Sequence, residues 1–359
     1  MRKGIILLVL LAITTVVSAK EFVGAADRGF AYIGRISWAN PDAPTWDYPG
    51  IQIIADFTGS SCTMRVKPGC GSFMVEIDDM PEFRIEVPEK SGDVTLTEGL
   101  PGDRHHLRLT YCIEGGKRHP AFYGLLLDDG GRLLDTPRLP TRKMEFIGNS
   151  ITCGLGNMAN GSEKTYHSGL QNTYYAYEFI ATRELNAQCQ VVARSGIGIY
   201  RNTLGKPEGD KDVLPTYYPY TLRTNTPGSE LWDFNRYQPD VVCVNLGTND
   251  TTNPKYYTSM LADAFKSFLR TLREKYPKAK IVLLTGTMRT GQRLADIKKA
   301  QDEAVADAAE RGDHEIYRFD FTPDDGSLGW GSYKHPSKRR HEKMAAELVP
   351  FIRSITGWN

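Results

Sequence analysis

The feature that most constrains this chain is a change of period near residue 140. Residues 20–140 hold short apolar runs, many alternating in polarity: "GIQIIADF", "CTMRVKP", "SFMVEID", "FRIEVP", "DVTLTEGL", "HHLRLTYCIE" and "AFYGLLLD". Gly, Pro, Asp and Ser separate them, and no 3.6-residue period persists. Regular short strands with such turns predict an antiparallel β-sandwich of jelly-roll type. After "TPRLPTRKMEF", whose Pro137 and Pro140 mark a linker, the pattern changes. Strand-like "KMEFIGN", "CQVVARSG", "DVVCVNLGTND", "AKIVLLTG" and "EIYRFDF" now alternate with helical "TYYAYEFIATRELN", "YYTSMLADAFKSFLRTLREKY", "ADIKKAQDEAVADAAERG" and "SKRRHEKMAAELVPFIRSI". That alternation predicts a three-layer α/β/α domain over 141–359, with a parallel sheet covered on both faces.

The first residues stand apart from both halves. "MRKGIILLVLLAITTVVSAKE" has Arg2 and Lys3, an apolar run and the small-residue ending Val17-Ser18-Ala19. It predicts a signal peptide over 1–19 and a secreted or periplasmic protein. The run is short for a membrane span. With 44 Lys+Arg against 43 Asp+Glu, the chain has no charge bias toward nucleic acid or an anionic membrane. Six cysteines (62, 70, 112, 153, 189 and 243) show no C-x-x-C zinc spacing. Cys62 and Cys70 are spaced for a possible bridge across a short turn, and Cys243, inside "VVCVNL", reads as a buried thiol. A monomer is expected.

Parallel sheets place their chemistry at the carboxyl ends of the strands. Ser150 follows "MEFIG" directly, with Gly148 allowing a tight turn beneath it. Alone, Ser150 reads more readily as a helix cap. The second strand end, "RSGIGIYRN", carries Ser195, Gly196 and Gly198. The third, "VNLGTND", carries Asn249, whose amide can donate to an oxyanion. Of seven histidines, His105, His106 and His119 lie in the β half, His167 in a polar loop, His314 before a strand and His341 within the last helix. His335, in "KHPS" between the last strand and the last helix, is the candidate base.

Gly-Asn-Ser-Ile-Thr, the Gly-bearing second loop, Gly-Thr-Asn-Asp and a late His-Pro, in that order over 141–359, resemble the four blocks of the SGNH (GDSL-type) hydrolases. A preceding β-sandwich, with "RSGIGIYRN", "LWDFNRYQPDVVCVNLGTND" and "HPS", narrows the resemblance to carbohydrate esterase family 2. The resemblance covers essentially the mature chain. It implies removal of O-acetyl groups from plant polysaccharides such as xylan and glucomannan, through an acetyl-enzyme and without metal or organic cofactor. By position, it implies Ser150 as nucleophile, His335 as base, and an oxyanion hole of Ser150 N–H, Gly198 N–H and the Asn249 amide; Gly196 is the near alternative for the glycine. The residue before the nucleophile, usually Asp, is Asn149, and the Asp expected two or three residues before the His is replaced by Tyr333 and Ser332. The resemblance therefore favours a Ser–His dyad whose imidazole is held by the carbonyl of Tyr333 or Lys334, with Asp324 or Asp325 as the rival. Trp330 and Tyr218, the latter in "TYYPYTLRTN", are expected to wall the sugar site, and Ile151 with Trp330 to close an acetyl pocket. The β half is expected to brace the catalytic half. The competing readings are a lipase- or thioesterase-type hydrolase on the same fold, or a non-catalytic carbohydrate-binding protein.

Overall fold

The computed structural model describes residues 20–161, 165–224 and 228–359; the leader expected over 1–19 lies outside them. The β half opens with β1 (Glu21–Gly24) and β2 (Phe30–Ile33). It continues through β3 (Gln52–Phe57), β4 (Cys62–Val66), β5 (Ser72–Ile77), β6 (Phe83–Glu86), β7 (Asp93–Thr97), β8 (His105–Tyr111) and β9 (Phe122–Leu127). They form two antiparallel sheets, ordered β1-β9-β4-β7 and β2-β3-β8-β5-β6. Alternate residues of both sheets, such as Phe57, Met64, Phe73, Leu109 and Phe122, meet in one core. This is the sandwich that the alternating runs predict.

Cys62 and Cys70 do not bridge; all six cysteines are free and buried. Strand β4 runs away from Cys62, and its extended residues carry the chain about 13 Å. An advance of that length exceeds the span of a disulfide, and the turn beyond it closes Cys70 N–H on the Lys67 carbonyl at 3.3 Å.

The second half is built on β10 (Arg142–Gly148), α1 (Tyr177–Glu184), β11 (Ala187–Ala193), the short α2 (Leu214–Tyr217) and β12 (Val241–Asn245). It is completed by α3 (Thr258–Lys275), β13 (Lys280–Thr285), α4 (Gly291–Glu310), β14 (Ile316–Asp320) and α5 (Lys338–Thr356). All five strands are parallel, in the order β11-β10-β12-β13-β14. Met144, Phe146, Val241 and Cys243 pack on one face against α1 and α5. Ile147, Val242, Val244 and Leu283 pack on the other against α3 and α4. The period-2 split of each strand between two helical layers explains why these strands are apolar throughout. From β10 the chain steps to β11 on one side and then to β12 on the other. That reversal opens a crevice at the carboxyl ends of β10, β11 and β12.

Side chains from one half are buried in the other. Arg35 enters from the loop after β2 and pairs with Glu145 of β10 at 3.2 Å, both fully buried. Glu145 also accepts from Gln190 Nε2 at 2.7 Å and from the hydroxyls of Tyr218 at 2.6 Å and Tyr276 at 3.2 Å. The Arg35 guanidinium lies over the rings of Tyr218, Trp232 and Phe234. At the crevice, Glu114 from the loop after β8 accepts from Ser195 N–H at 2.9 Å, from the Ser195 hydroxyl and from Arg223.

Candidate active site

Ser150 sits at the first turn after β10. A Cβ at Gly148 would lie 2.1 Å from Thr152 Oγ1, so only glycine admits the turn. Asn149 holds that turn through Oδ1, which accepts from Ile151 N–H at 3.0 Å, and its carbonyl, which accepts from Cys153 N–H at 2.9 Å. Ser150 is nearly buried, and its hydroxyl oxygen lies 2.8 Å from His335 Nε2.

The spacing of these two side chains is set by backbone. Gly156 C=O accepts from Ser332 N–H at 3.1 Å, and Asn157 C=O from Lys338 N–H at 2.9 Å. Gly156 has φ +68°, and a Cβ there would meet Ser332 at 2.5 Å. The serine turn and the histidine loop are thus joined along a seam. Within the loop, Tyr333 and Lys334 are both left-handed, with φ 53° and 58°. These uncommon conformations bring the Ser332 carbonyl under the imidazole, where it faces both His335 N–H at 3.0 Å and Nδ1 at 2.9 Å. With Nδ1 donating, Nε2 is the ring's free base. Burial, helped by the charge of Arg289, pushes His335 down to about 4 against the weaker upward pull of the Ser332 carbonyl. The imidazole is therefore neutral near pH 7. The acceptor is the carbonyl of Ser332, not that of Tyr333 or Lys334. Asp324 and Asp325 instead accept from Gly326 N–H and from Ser327.

The loops after β11 and β12 complete the cleft. Asp250 is buried and binds both: its carboxylate accepts from Ile199, Tyr200 and Arg201 N–H, at 2.9 to 3.1 Å, and from Gly247 N–H at 3.1 Å. Asn249 Nδ2 donates one hydrogen to Ile197 C=O at 2.7 Å, leaving its second hydrogen free. Gly198, expected in the oxyanion hole, is not there. Its N–H is taken by Asn202 Oδ1 at 3.1 Å, and a Cβ on it would strike Arg201 C=O and the Asp250 carboxylate. Gly196, with φ +78°, lines the cleft instead. Neither Gly196 N–H nor Ser150 N–H has an acceptor among the described residues.

The cleft measures about 270 Å³ and is lined by Ser150, Leu155, Gly196, Asn249, Met288 and His335, together with Arg289. Tyr218 takes no part in it: the ring is fully buried, with its hydroxyl on Glu145, in the core beneath the sheet. Ile151 is likewise buried and does not line the cleft, where Leu155 and Met288 supply the apolar wall. Trp330 lines a separate hollow of about 290 Å³, with Asn157, Met158, Leu328 and Lys338, across the Gly156–Ser332 seam. His341 is buried in α5, with Nδ1 accepting from Tyr177 N–H. Arg289 and Met288 were missed by the sequence reading, although they follow the apolar strand β13, the same signal that marks the other three loops. A larger surface hollow of about 530 Å³ on the β half, with Arg28, Arg104 and Arg132, lies apart from these groups.

A hydroxyl hydrogen-bonded to a neutral imidazole, beside a cluster of free N–H donors at the carboxyl edge of a parallel sheet, defines the acyl-ester hydrolase class. The comparisons with known proteins agree. Residues 32–137 match the model "Carbohydrate esterase 2 N-terminal", and residues 146–343 the GDSL-like lipase/acylhydrolase family. The chain is 34% identical over 333 residues to the cellulase/esterase CelE of Acetivibrio thermocellus. That match covers 92% of this chain but only 40% of CelE. It is 28% identical over 347 residues to an acetylxylan esterase / glucomannan deacetylase of Cellvibrio japonicus, covering 96% of this chain and 94% of that one. A family two carbohydrate esterase from Clostridium thermocellum, solved in complex with cellohexaose, superposes with TM-score 0.84 at 33% identity, over 92% of this chain and all of that one. The chain belongs to carbohydrate esterase family 2, and is a carboxylic ester hydrolase by that membership.

Proposed function

We propose that this protein removes O-acetyl groups from plant polysaccharides such as acetylated xylan and glucomannan, using Ser150 and His335 as a dyad. The observation that carries this reading is the 2.8 Å contact between Ser150 Oγ and His335 Nε2, with Nδ1 held on a backbone carbonyl. His335 takes the Ser150 proton as Oγ attacks the acetyl carbonyl. The oxyanion that forms is met by Ser150 N–H, Gly196 N–H and the free hydrogen of Asn249 Nδ2. His335 returns the proton to the sugar oxygen, which leaves. Water, deprotonated by His335, then attacks the acetyl-serine, and His335 returns that proton to Ser150 Oγ as acetate leaves. A carbonyl in place of the usual carboxylate fixes the imidazole tautomer without adding charge.

The small cleft, walled by Leu155 and Met288, suits a methyl group rather than a long acyl chain. Trp330, in the hollow across the seam, offers a ring face to sugars beyond the acetylated one. The β half, in this reading, braces the second loop through Glu114. A polymer cannot enter a cell, so we place the reaction outside the cytoplasm, consistent with the leader expected over 1–19.

The test is acetate release from acetylated xylan and acetylated glucomannan, with long-chain aryl esters and Ser150→Ala in parallel. Acetate from either polymer, abolished in the variant, with little turnover of long-chain esters, is the expected result. A folded protein that cleaves only long-chain esters, or that binds glycan without cleaving it, would overturn the reading.

A further inference from the structure

Arg289 is the charged side chain among the described residues that line the cleft, and the proposed dyad chemistry has no use for it. It lies in the loop after β13 and lines the same cleft as Ser150 and His335. One edge of its guanidinium is fixed: Nε and Nη2 donate to Thr248 C=O at 3.1 and 2.9 Å, and Nη2 also to Thr252 Oγ1 at 2.9 Å. Nη1 has no acceptor, and no carboxylate lies within ion-pair distance of Arg289 among the described residues. Several arginines of this half are paired, Arg273 with Asp313, Arg318 with Asp302 and Arg340 with Glu347. The fully buried Arg201 also lacks a carboxylate among the described residues and donates to the Lys255 carbonyl; Arg289 differs from it in opening onto the cleft. Arg289 is also half-buried, and both that burial and its like-charged neighbour Arg293 disfavour the cation. A desolvated guanidinium without a counter-ion is costly unless an anion arrives. This one is oriented in advance, with two N–H groups of Nη1 left to donate.

We propose that Arg289 is a specificity-determining residue that binds a carboxylate carried by the acetylated glycan, so that the preferred substrate bears a uronic acid close to the ester. The inference rests on the deacetylase reading above and narrows its substrate class. Carboxylate is the anion that a sugar polymer itself supplies. Arg289 lies near enough to His335 for its charge to act on the imidazole, so the uronate would sit beside the reacting sugar. The same guanidinium steadies the Thr248 carbonyl, next to Asn249, and substitution at Arg289 therefore has to be read as a ratio between substrates rather than as a rate.

The experiment compares kcat/KM for acetylated xylo-oligosaccharides of equal length with and without a glucuronosyl substituent, in wild type, Arg289→Gln and Arg289→Lys. Wild type is expected to prefer the acidic substrate by about tenfold or more. The preference should disappear in Arg289→Gln and fall in Arg289→Lys, which keeps the charge and loses the fork. In wild type alone, added NaCl should lower kcat/KM for the acidic substrate and leave the neutral one unmoved, a readout that needs no variant to fold. Equal kcat/KM for the two substrates in wild type, or an unchanged ratio in Arg289→Gln, overturns the inference and leaves the deacetylase reading standing. Acetate from neither substrate removes both. Competitive inhibition of both substrates by free acetate, absent in Arg289→Gln, would assign the guanidinium to the product and overturn the uronate preference.

Discussion

Two polar clusters at the sheet of the catalytic half differ in what is left unbonded. Around Glu145, buried under the sheet, each carboxylate oxygen is occupied, by Arg35, Gln190 and Tyr276 on one side and Tyr218 on the other. Around Ser150, at the carboxyl edge of the same strand β10, Ser150 N–H, Gly196 N–H, one Asn249 hydrogen and Arg289 Nη1 remain unmatched, all near one small cleft. The first cluster joins the two halves with both Glu145 oxygens filled, although Arg35 Nε and Gln190 Oε1 within it have no partner among the described residues. The second is open, and its open donors face the place where negative charge would develop. Burial alone does not separate structure from function here, since Ser150 and Asn249 are nearly as buried as Glu145. What does is a set of unspent donors gathered on one cleft; single buried atoms without partners among the described residues, such as both Glu178 carboxylate oxygens, occur elsewhere in the same half.

The comparison can be broken in both directions. The largest effect is expected at the open cluster: His335→Ala should lower the rate of acetate release by about 10⁴-fold or more. The urea midpoint should barely move, because the residue adds little to the core. A variant within tenfold of wild type would remove the dyad. At the Glu145 cluster, Arg35→Met leaves Glu145 and its hydroxyl partners without their cation. Its cost should be about 3–5 kcal/mol of stability, read by denaturant unfolding, while activity per folded molecule persists. Stability unchanged by Arg35→Met would mean that the cluster does not join the halves.

Asn249→Ala should lower kcat by about 10²–10³-fold with a smaller change in KM, the signature of a donor used mainly in the transition state. A KM effect alone would instead make Asn249 a substrate contact. The pH profile tests the imidazole. Catalysis needs neutral His335, and burial places its protonation near 4 rather than at the ordinary 6.5. Thus kcat/KM should hold through pH 6 and be lost as pH falls toward about 4; an acid limb near 6.5 would contradict it. The same depressed value means that the unfolded chain takes up the proton first. Stability therefore declines as pH drops from about 6.5 to 4. The smallest effect is expected from Asp324→Ala with Asp325→Ala, whose carboxylates serve their own turn. Loss of several orders of magnitude would restore a carboxylate to the mechanism.

Much of this was legible in the letters. All seven runs read as strands in the β half are strands, and the helix–strand alternation after 141 is the parallel sheet with its two helical layers. The strand-end rule also found Ser150 and Asn249, because apolar runs ending in Gly and polar residues are visible as composition. What failed was conformation. "SGIG" offers two glycines at equivalent-looking places, and only the left-handed φ of Gly196 turns it into the cleft, while Gly198 is spent on Asn202. Tyr218 looks like its neighbours in "TYYPY", yet a distant partner, Glu145, draws it into the core. The acceptor for His335 is a backbone oxygen placed by two left-handed residues, Tyr333 and Lys334, and such an atom has no letter. Strands β1 and β2, four residues each, are not among the seven runs read as strands.

The most direct test of the account is to catch the acyl-enzyme. Wild type mixed with an activated aryl acetate, quenched in acid within the first turnover and digested, should carry an acetyl group on the peptide containing Ser150, with none in Ser150→Ala. Steady acetate release with no acetyl on Ser150 at any quench time, and with Ser150→Ala still active, would contradict it.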